Sequence, residues 1–140
     1  SSIFPIRGHH RYGVPDAKKE IHERATTASR ILEFPPSVAR LAKAQLPVGG
    51  GYFRLLPQRL TAHAIRSIQQ QHRPAMFYIH HWEIDPDQPR IAGMNRGSSD
   101  RHYVGLGQTE EKQRNLIKRF RFGTMSQSIE SSGCVDATYG

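Results

Sequence analysis

Residues 56–85 read LPQRLTAHAIRSIQQQHRPAMFYIHHWEID, and the order of patterns inside this stretch decides the fold class. Pro57 suits the first turn of a helix, where a backbone N–H has no partner to lose. Leu56, Leu60, Ala64 and Ile68 recur every four residues as one apolar stripe, with Arg59 and Arg66 on the opposite side. Gln69-Gln70-Gln71 ends the pattern, and Arg73-Pro74 blocks its extension. Ala75-Met76-Phe77-Tyr78-Ile79 follows without a polar break, as a strand covered on both faces requires. Helix, short loop and buried strand in that order predict an α/β fold. His80-His81-Trp82-Glu83 falls at the C-terminal end of the predicted strand.

Upstream of the helix stands Gly49-Gly50-Gly51, followed by Tyr52-Phe53. The triple glycine lacks both the Gly-Lys-Ser/Thr ending of a phosphate loop and the GxGxxG spacing. Glycine permits close backbone approach, so the segment reads as a loop bordering a binding cleft. Tyr52 and Phe53 behind it either stack on a sugar ring or fill core. Val38, Leu41, Ala42 and Leu46 mark a second strand or an irregular stretch. Ile31-Leu32-Glu33-Phe34, stopped by Pro35-Pro36, reads as a short buried strand. Before residue 30, the turn signals Phe4-Pro5 and Gly13-Val14-Pro15-Asp16 and a polar run predict a surface loop. Downstream, Asp85 to Asp100 is a long loop rich in Pro, Gly, Ser and Asn. Thr109 is the predicted N-cap of a last helix, with Glu110 and Glu111 in its first turn. Leu116, Ile117 and Phe120 form that helix's inner face, while Arg114 and Lys118 point away. From Ser126 onward the composition is that of a disordered tail.

The chain has 140 residues, enough for one domain with a modest core. Its apolar fraction of 36% and mean hydropathy of -0.62 are polar for a globular protein. That balance fits a half-barrel relying on absent neighbours, or a domain with a solvated tail. The first residue, Ser1, is not a translation start, so no leader peptide can be sought. No apolar stretch approaches the roughly 20 residues of a membrane span. Cys134, the single cysteine, forms no internal disulfide and leaves the compartment open. The net charge of +8 is compatible with polyanions. Its arginines are scattered and lack interleaved stacking aromatics, which argues against a nucleic-acid module and for a solvated basic surface.

A histidine leaving a buried strand at the C-terminal face of an α/β barrel is well placed for proton transfer. His80 fits that place. It equally fits a hydrogen-bonded core histidine with Trp82 as packing, and the pattern alone leaves both readings open. His9-His10 and His80-His81 invite a zinc site, but the chain has no His-x-x-x-His, no His-x-x-Glu-His and no Cys pair. Adjacent histidines on extended chain point apart. A complete metal site within this chain is therefore not expected. Nor does a Gly-x-Ser-x-Gly nucleophile elbow occur.

Two stretches carry a family resemblance: Gly49-Gly50-Gly51-Tyr52-Phe53-Arg54-Leu55-Leu56-Pro57, and Phe77-Tyr78-Ile79-His80-His81-Trp82-Glu83-Ile84-Asp85-Pro86-Asp87-Gln88-Pro89. They resemble the closing segments of polysaccharide deacetylases of the NodB-homology group, from bacterial exopolysaccharide and exosortase loci. Ser1-Ser2-Ile3-Phe4-Pro5, Tyr12-Gly13-Val14-Pro15-Asp16, Leu32-Glu33-Phe34-Pro35-Pro36-Ser37 and Arg101-His102-Tyr103-Val104 are similar to that family as well. The likeness covers most of residues 1–125.

The resemblance implies the C-terminal half of a distorted (β/α) barrel. Residues 1–90 would be barrel, including the last active-site strand; 91–125 a C-terminal extension with a terminal helix; and 126–140 a disordered tail. It implies hydrolysis of an N-acetyl group on an exopolysaccharide amino sugar. The family's divalent metal, usually zinc, is held by one Asp and two His, with a second Asp as base; these come from an Asp-Asp motif and a His-x-x-x-His motif of the N-terminal half, and neither occurs here. The family's late hydrophobic-x-His motif falls on Ile79-His80, whose histidine is the general acid toward the leaving amine. Gly50, Gly51, Tyr52, Trp82 and Glu83 are expected to line the substrate groove. His81 stands where the family commonly has Pro. The partner expected is an acetylated polysaccharide, and the chain alone should be inactive. The alternative is a non-catalytic carbohydrate-binding domain using Tyr52, Phe53 and Trp82. A third reading is a basic polyanion binder using Arg114, Lys118 and Arg119.

Overall fold

A computed structural model of the chain describes residues 17–27, 29–41, 44–93, 95, 97 and 102–133. Strands β1 (His22–Ala25) and β2 (Arg30–Glu33) form an antiparallel hairpin, with His22 opposite Glu33 and Ala25 opposite Arg30. Thr26 closes the turn through its N–H to the Ser29 carbonyl at 2.7 Å and its hydroxyl, which accepts from the Ser29 N–H at 2.9 Å. Across the strands Arg24 meets Glu33 at 3.5 Å and Arg30 meets Glu23 at 3.4 Å. Each such exposed pair contributes at most about 1 kcal/mol. β1 lies in the stretch that the sequence reads as surface loop. Polar strands have no apolar alternation to reveal them. β2 is a strand as the sequence predicts, yet Ile31 is 54% exposed rather than buried.

Strands β3 (Val38–Leu41) and β4 (Ala44–Pro47) form a second antiparallel pair. Immediately after β4, Gly49 bridges Tyr78 in parallel, and the Gly50 N–H donates to the Tyr78 carbonyl at 2.9 Å. The triple glycine is thus the opening of a short helix, α1 (Gly50–Leu55), rather than a free loop. Helix α2 (Gln58–Gln69) starts after Pro57, as the sequence predicts. Its buried face is Thr61, Ala64, Ile65 and Ile68, with Ala62 beside it. Leu60 is 39% exposed, so the four-residue stripe drawn through it is rotated by about one position.

Residues 75–79, expected to form a strand covered on both faces, form no strand beyond the single Gly49–Tyr78 bridge and are only partly buried; a 3-10 turn, His81–Ile84, follows. Helix α3 (Leu106–Arg119) begins after Gly105, whose φ of 75° is left-handed. Thr109 is therefore not the cap; it is buried inside the helix and donates its hydroxyl to the Gly105 carbonyl at 2.8 Å. Leu116 is fully buried and Phe120 packs against the core, but Ile117 is 53% exposed. Helix α4 (Met125–Ser131) replaces the start of the tail read as disordered from Ser126. Thr124 and Gln127 cap it reciprocally, the Thr124 hydroxyl accepting from the Gln127 N–H and the Gln127 amide oxygen from the Thr124 N–H.

The core gathers Ala39, Val48, Phe53, Ala64, Ile65, Ile68 and Leu116, with Phe77 and Ile79 partly buried against it. Phe53 and Phe77 meet edge to face at 5.0 Å. The chain is mixed α/β, with four helices and two small antiparallel sheets among the described residues. Parallel pairing among those residues is limited to the Gly49–Tyr78 bridge. No described helix is long and apolar enough to cross a membrane. The turn signals at Phe4-Pro5 and Gly13–Asp16, the pair His9-His10, Ala42 and Cys134 lie outside the described residues.

Candidate functional site

The bridge at Gly49 fixes the start of α1, and α1 in turn carries Arg54 into the interior, where its side chain is 4% exposed. Its Nε donates to Glu83 Oε1 at 3.0 Å, and the Glu83 side chain is 1% exposed. Arg54 Nη1 donates to the carbonyls of His102 and of Val104, the latter at 3.2 Å. A buried guanidinium needs both a counter-charge and acceptors, and these three partners supply the charge and take three of its five N–H groups. Lys112 Nζ donates to the Arg54 and Leu56 carbonyls at 2.8 and 3.3 Å, satisfying the C-terminal end of α1.

The second oxygen of Glu83 faces His80. It accepts the His80 N–H at 3.0 Å and lies 3.3 Å from His80 Nδ1. A carboxylate engaged by a guanidinium accepts only, so Nδ1 carries the proton and Nε2 is the ring's free nitrogen. The imidazole itself is 55% exposed. It stands edge-on to Tyr78 at 5.7 Å and stacks against Trp82 at 5.6 Å. Trp82 also stacks against His102 at 4.5 Å, and the Arg54 guanidinium lies 5.0 Å from the indole centroid. Gln88 ties the far side, its amide donating to the Trp82 carbonyl at 2.8 Å and its oxygen 3.3 Å from His102 Nε2. His80 is thus a half-exposed ring held at one edge by a buried carboxylate.

A family model described as a domain of unknown function, DUF3473, matches residues 1–130. The chain belongs to this family. DUF3473 is associated with polysaccharide deacetylase proteins. No curated protein and no solved structure matches the chain.

In this DUF3473 domain, Gly50 and His80 both meet Tyr78, and Trp82 and Glu83 join them through His80. Gly50 is buried, and a Cβ there would sit 2.7 Å from the Tyr78 hydroxyl. Gly51 touches the cluster through Arg54: a Cβ there would lie 3.5 Å from Nη2. Tyr52 is 36% exposed on α1 and makes no ring contact with the cluster among the described residues. Phe53, the other aromatic after the glycines, is fully buried core. Glu83 faces inward, toward Arg54 and His80. Sequence reasoning missed Arg54, Gln88 and His102. The run Arg101-His102-Tyr103-Val104 was visible, but nothing in it says that its carbonyls receive an arginine from residue 54. Among the described residues of the DUF3473 domain, no three His, Cys, Asp or Glu side chains gather as metal ligands.

Proposed function

We propose that the chain supplies the proton-donating histidine of a metal-dependent polysaccharide deacetylase that removes N-acetyl groups from an exopolysaccharide amino sugar. The observation that carries this reading is an exposed imidazole aimed by a buried carboxylate: His80 Nδ1 against Glu83 Oε2, with Nε2 left for a substrate. The ligands for a divalent metal, zinc by resemblance, come in this reading from protein outside these 140 residues. Among the described residues no three metal-ligating side chains gather, and in this reading the chain's own contribution is the proton. Water gives a proton to a carboxylate base, which in this reading also lies outside these 140 residues, and adds to the acetyl carbonyl; the tetrahedral intermediate then collapses by breaking its C–N bond. The leaving nitrogen takes a proton from Nε2 of the protonated ring, so that amine and acetate are released. Glu83 keeps the ring's edge fixed through that exchange.

The same reading makes the chain part of a (β/α) barrel. Parallel pairing of Gly49 with Tyr78 across the α1–α2 crossover is the connection that a β/α unit makes. In protein that includes the metal-binding segment, His80→Ala should cut acetate release from an N-acetylated oligosaccharide by about 10²–10⁴-fold. Zinc content and oligosaccharide binding should stay unchanged. Undiminished turnover in that variant would remove His80 from the chemistry and leave the carbohydrate-binding alternative.

A further inference from the structure

From Phe34 to Trp82 the sequence contains no Asp or Glu, while Arg40, Lys43, Arg54, Arg59, Arg66 and Arg73 all fall inside it. Glu83, the next carboxylate, is buried against Arg54 and His80 and offers nothing to the surface. Gln58 Nε2 donates to the Lys112 carbonyl at 3.2 Å, and the Arg66 guanidinium lies 5.9 Å from the Phe120 ring centroid. These two contacts set α2 and α3 side by side and running the same way, 58 to 66 alongside 112 to 120. Arg59 and Arg66 are exposed, share one face of α2, and stand about 10 Å apart along its axis. Lys118, Arg119 and Arg121, also exposed, surround Phe120 in the chain. Among the described residues none of these five cations has a carboxylate partner. The acids of α3 lie in its second turn, where Glu110 is taken by Arg114 at 2.7 Å.

Cations at the C-terminal end of α3 partly answer the helix dipole, which accounts for Lys118 and Arg119. Arg66, in the last turn of α2, answers that helix's dipole in the same way, but the dipole does not account for its lying over Phe120 of the other helix. We propose that this α2–α3 face binds the carboxylates of an acidic polysaccharide, so that the deacetylase substrate contains uronate or comparable acidic sugars. A half-buried aromatic ring beneath a guanidinium suits such a sugar: the C–H face rests on the ring, and the carboxylate pairs with the planar guanidinium fork. A single-stranded nucleic acid is a poorer fit, because its binders present successive stacking rings. The link to catalysis rests on the reading above; the binding does not.

Calorimetric titration of the 140-residue chain with oligogalacturonate, which carries no N-acetyl group, tests the face separately from the chemistry. Binding should be present at low salt, weaken as salt rises, and be absent for a neutral chito-oligosaccharide of equal length. The double variant Arg66→Glu/Arg119→Glu should weaken it by about tenfold or more, with an unchanged thermal unfolding midpoint. The distant pair Arg24→Glu/Arg30→Glu should leave it intact. Unchanged binding in the first variant overturns the proposal, as does tighter binding to duplex DNA or to phosphatidylserine vesicles than to oligogalacturonate. Absent oligogalacturonate binding by the unaltered chain would sink the face and spare His80. Undiminished acetate release by the His80→Ala variant in protein that includes the metal-binding segment would sink the chemistry and spare the face.

Discussion

Glu83 has two tasks that one carboxylate can perform only because its oxygens face different ways. Oε1 neutralises Arg54 and Oε2 holds both the backbone and the ring edge of His80. The pair is desolvated at both ends, with side chains 4% and 1% exposed. Removing one partner of such a pair strands the other charge, which costs about 3–5 kcal/mol, whereas replacing both by apolar groups costs far less. Glu83→Gln should therefore lower unfolding free energy by about 3 kcal/mol, and Arg54→Met/Glu83→Leu should recover more than half of that loss. Chemical denaturation of Arg54→Met, Glu83→Leu and the double variant gives the coupling directly. A loss below about 0.5 kcal/mol for Glu83→Gln would show that the pair is not buried in solution. His80 differs from Glu83 in kind: its ring is exposed, so His80→Ala should barely alter stability while abolishing proton donation.

At the scale of elements, the three consecutive glycines are not equivalent. Gly49 has φ 118° and Gly50 φ 53°, both in the region that disfavours a side chain. A Cβ on Gly49 would also run into the Tyr78 carbonyl, which is backbone and has no room to retreat. A Cβ on Gly50 meets only the mobile end of the Tyr78 ring. Gly51 has no left-handed φ and an ordinary 3.5 Å approach to Arg54. Alanine should therefore cost about 3 kcal/mol at Gly49, about 1 kcal/mol at Gly50, and stabilise slightly at Gly51, where it gains helix propensity. Three unfolding curves check the ranking, and equal losses at all three positions would refute the bridge. The sequence marks these residues as sites of close approach but not what approaches them, because Tyr78 is 29 residues away from Gly49. The same limit explains the rest. α2 is legible from its periodicity and Pro57; β1 is not, since its strength lies in charge pairs with β2 rather than in apolar alternation. α4 reads as the start of a disordered tail, although Thr124-Met125-Ser126-Gln127 carries a capping-box pattern among the Ser and Gly. His80 could be found by motif, whereas Arg54 is one arginine among many and is singled out only by burial.

For the molecule as a whole, three separated stretches meet at one arginine. Residues 49–57 supply Arg54, residues 77–89 supply Trp82 and Glu83, and residues 101–104 supply the carbonyls of His102 and Val104. These are the stretches that carry the likeness to polysaccharide deacetylases, so the likeness is concentrated where the chain holds His80 in place. On the proposed reading this scaffold orients an acid while other protein grips the metal, and the two duties separate experimentally. A ligand that binds only the folded state stabilises it by RT ln(1 + [L]/Kd), about 2.7 kcal/mol at a hundredfold excess over Kd. If the 140-residue chain only presents His80, zinc at micromolar excess should leave its unfolding midpoint within about 1 °C, since no such term then enters. Acetate release from an N-acetylglucosamine oligomer should also stay at background with zinc present. A zinc-dependent rise of several degrees, with one equivalent of metal retained after gel filtration, would mean that this chain completes a metal site by itself. His80 would then be a candidate ligand instead of the acid, and the division of labour argued for here would have to be reversed.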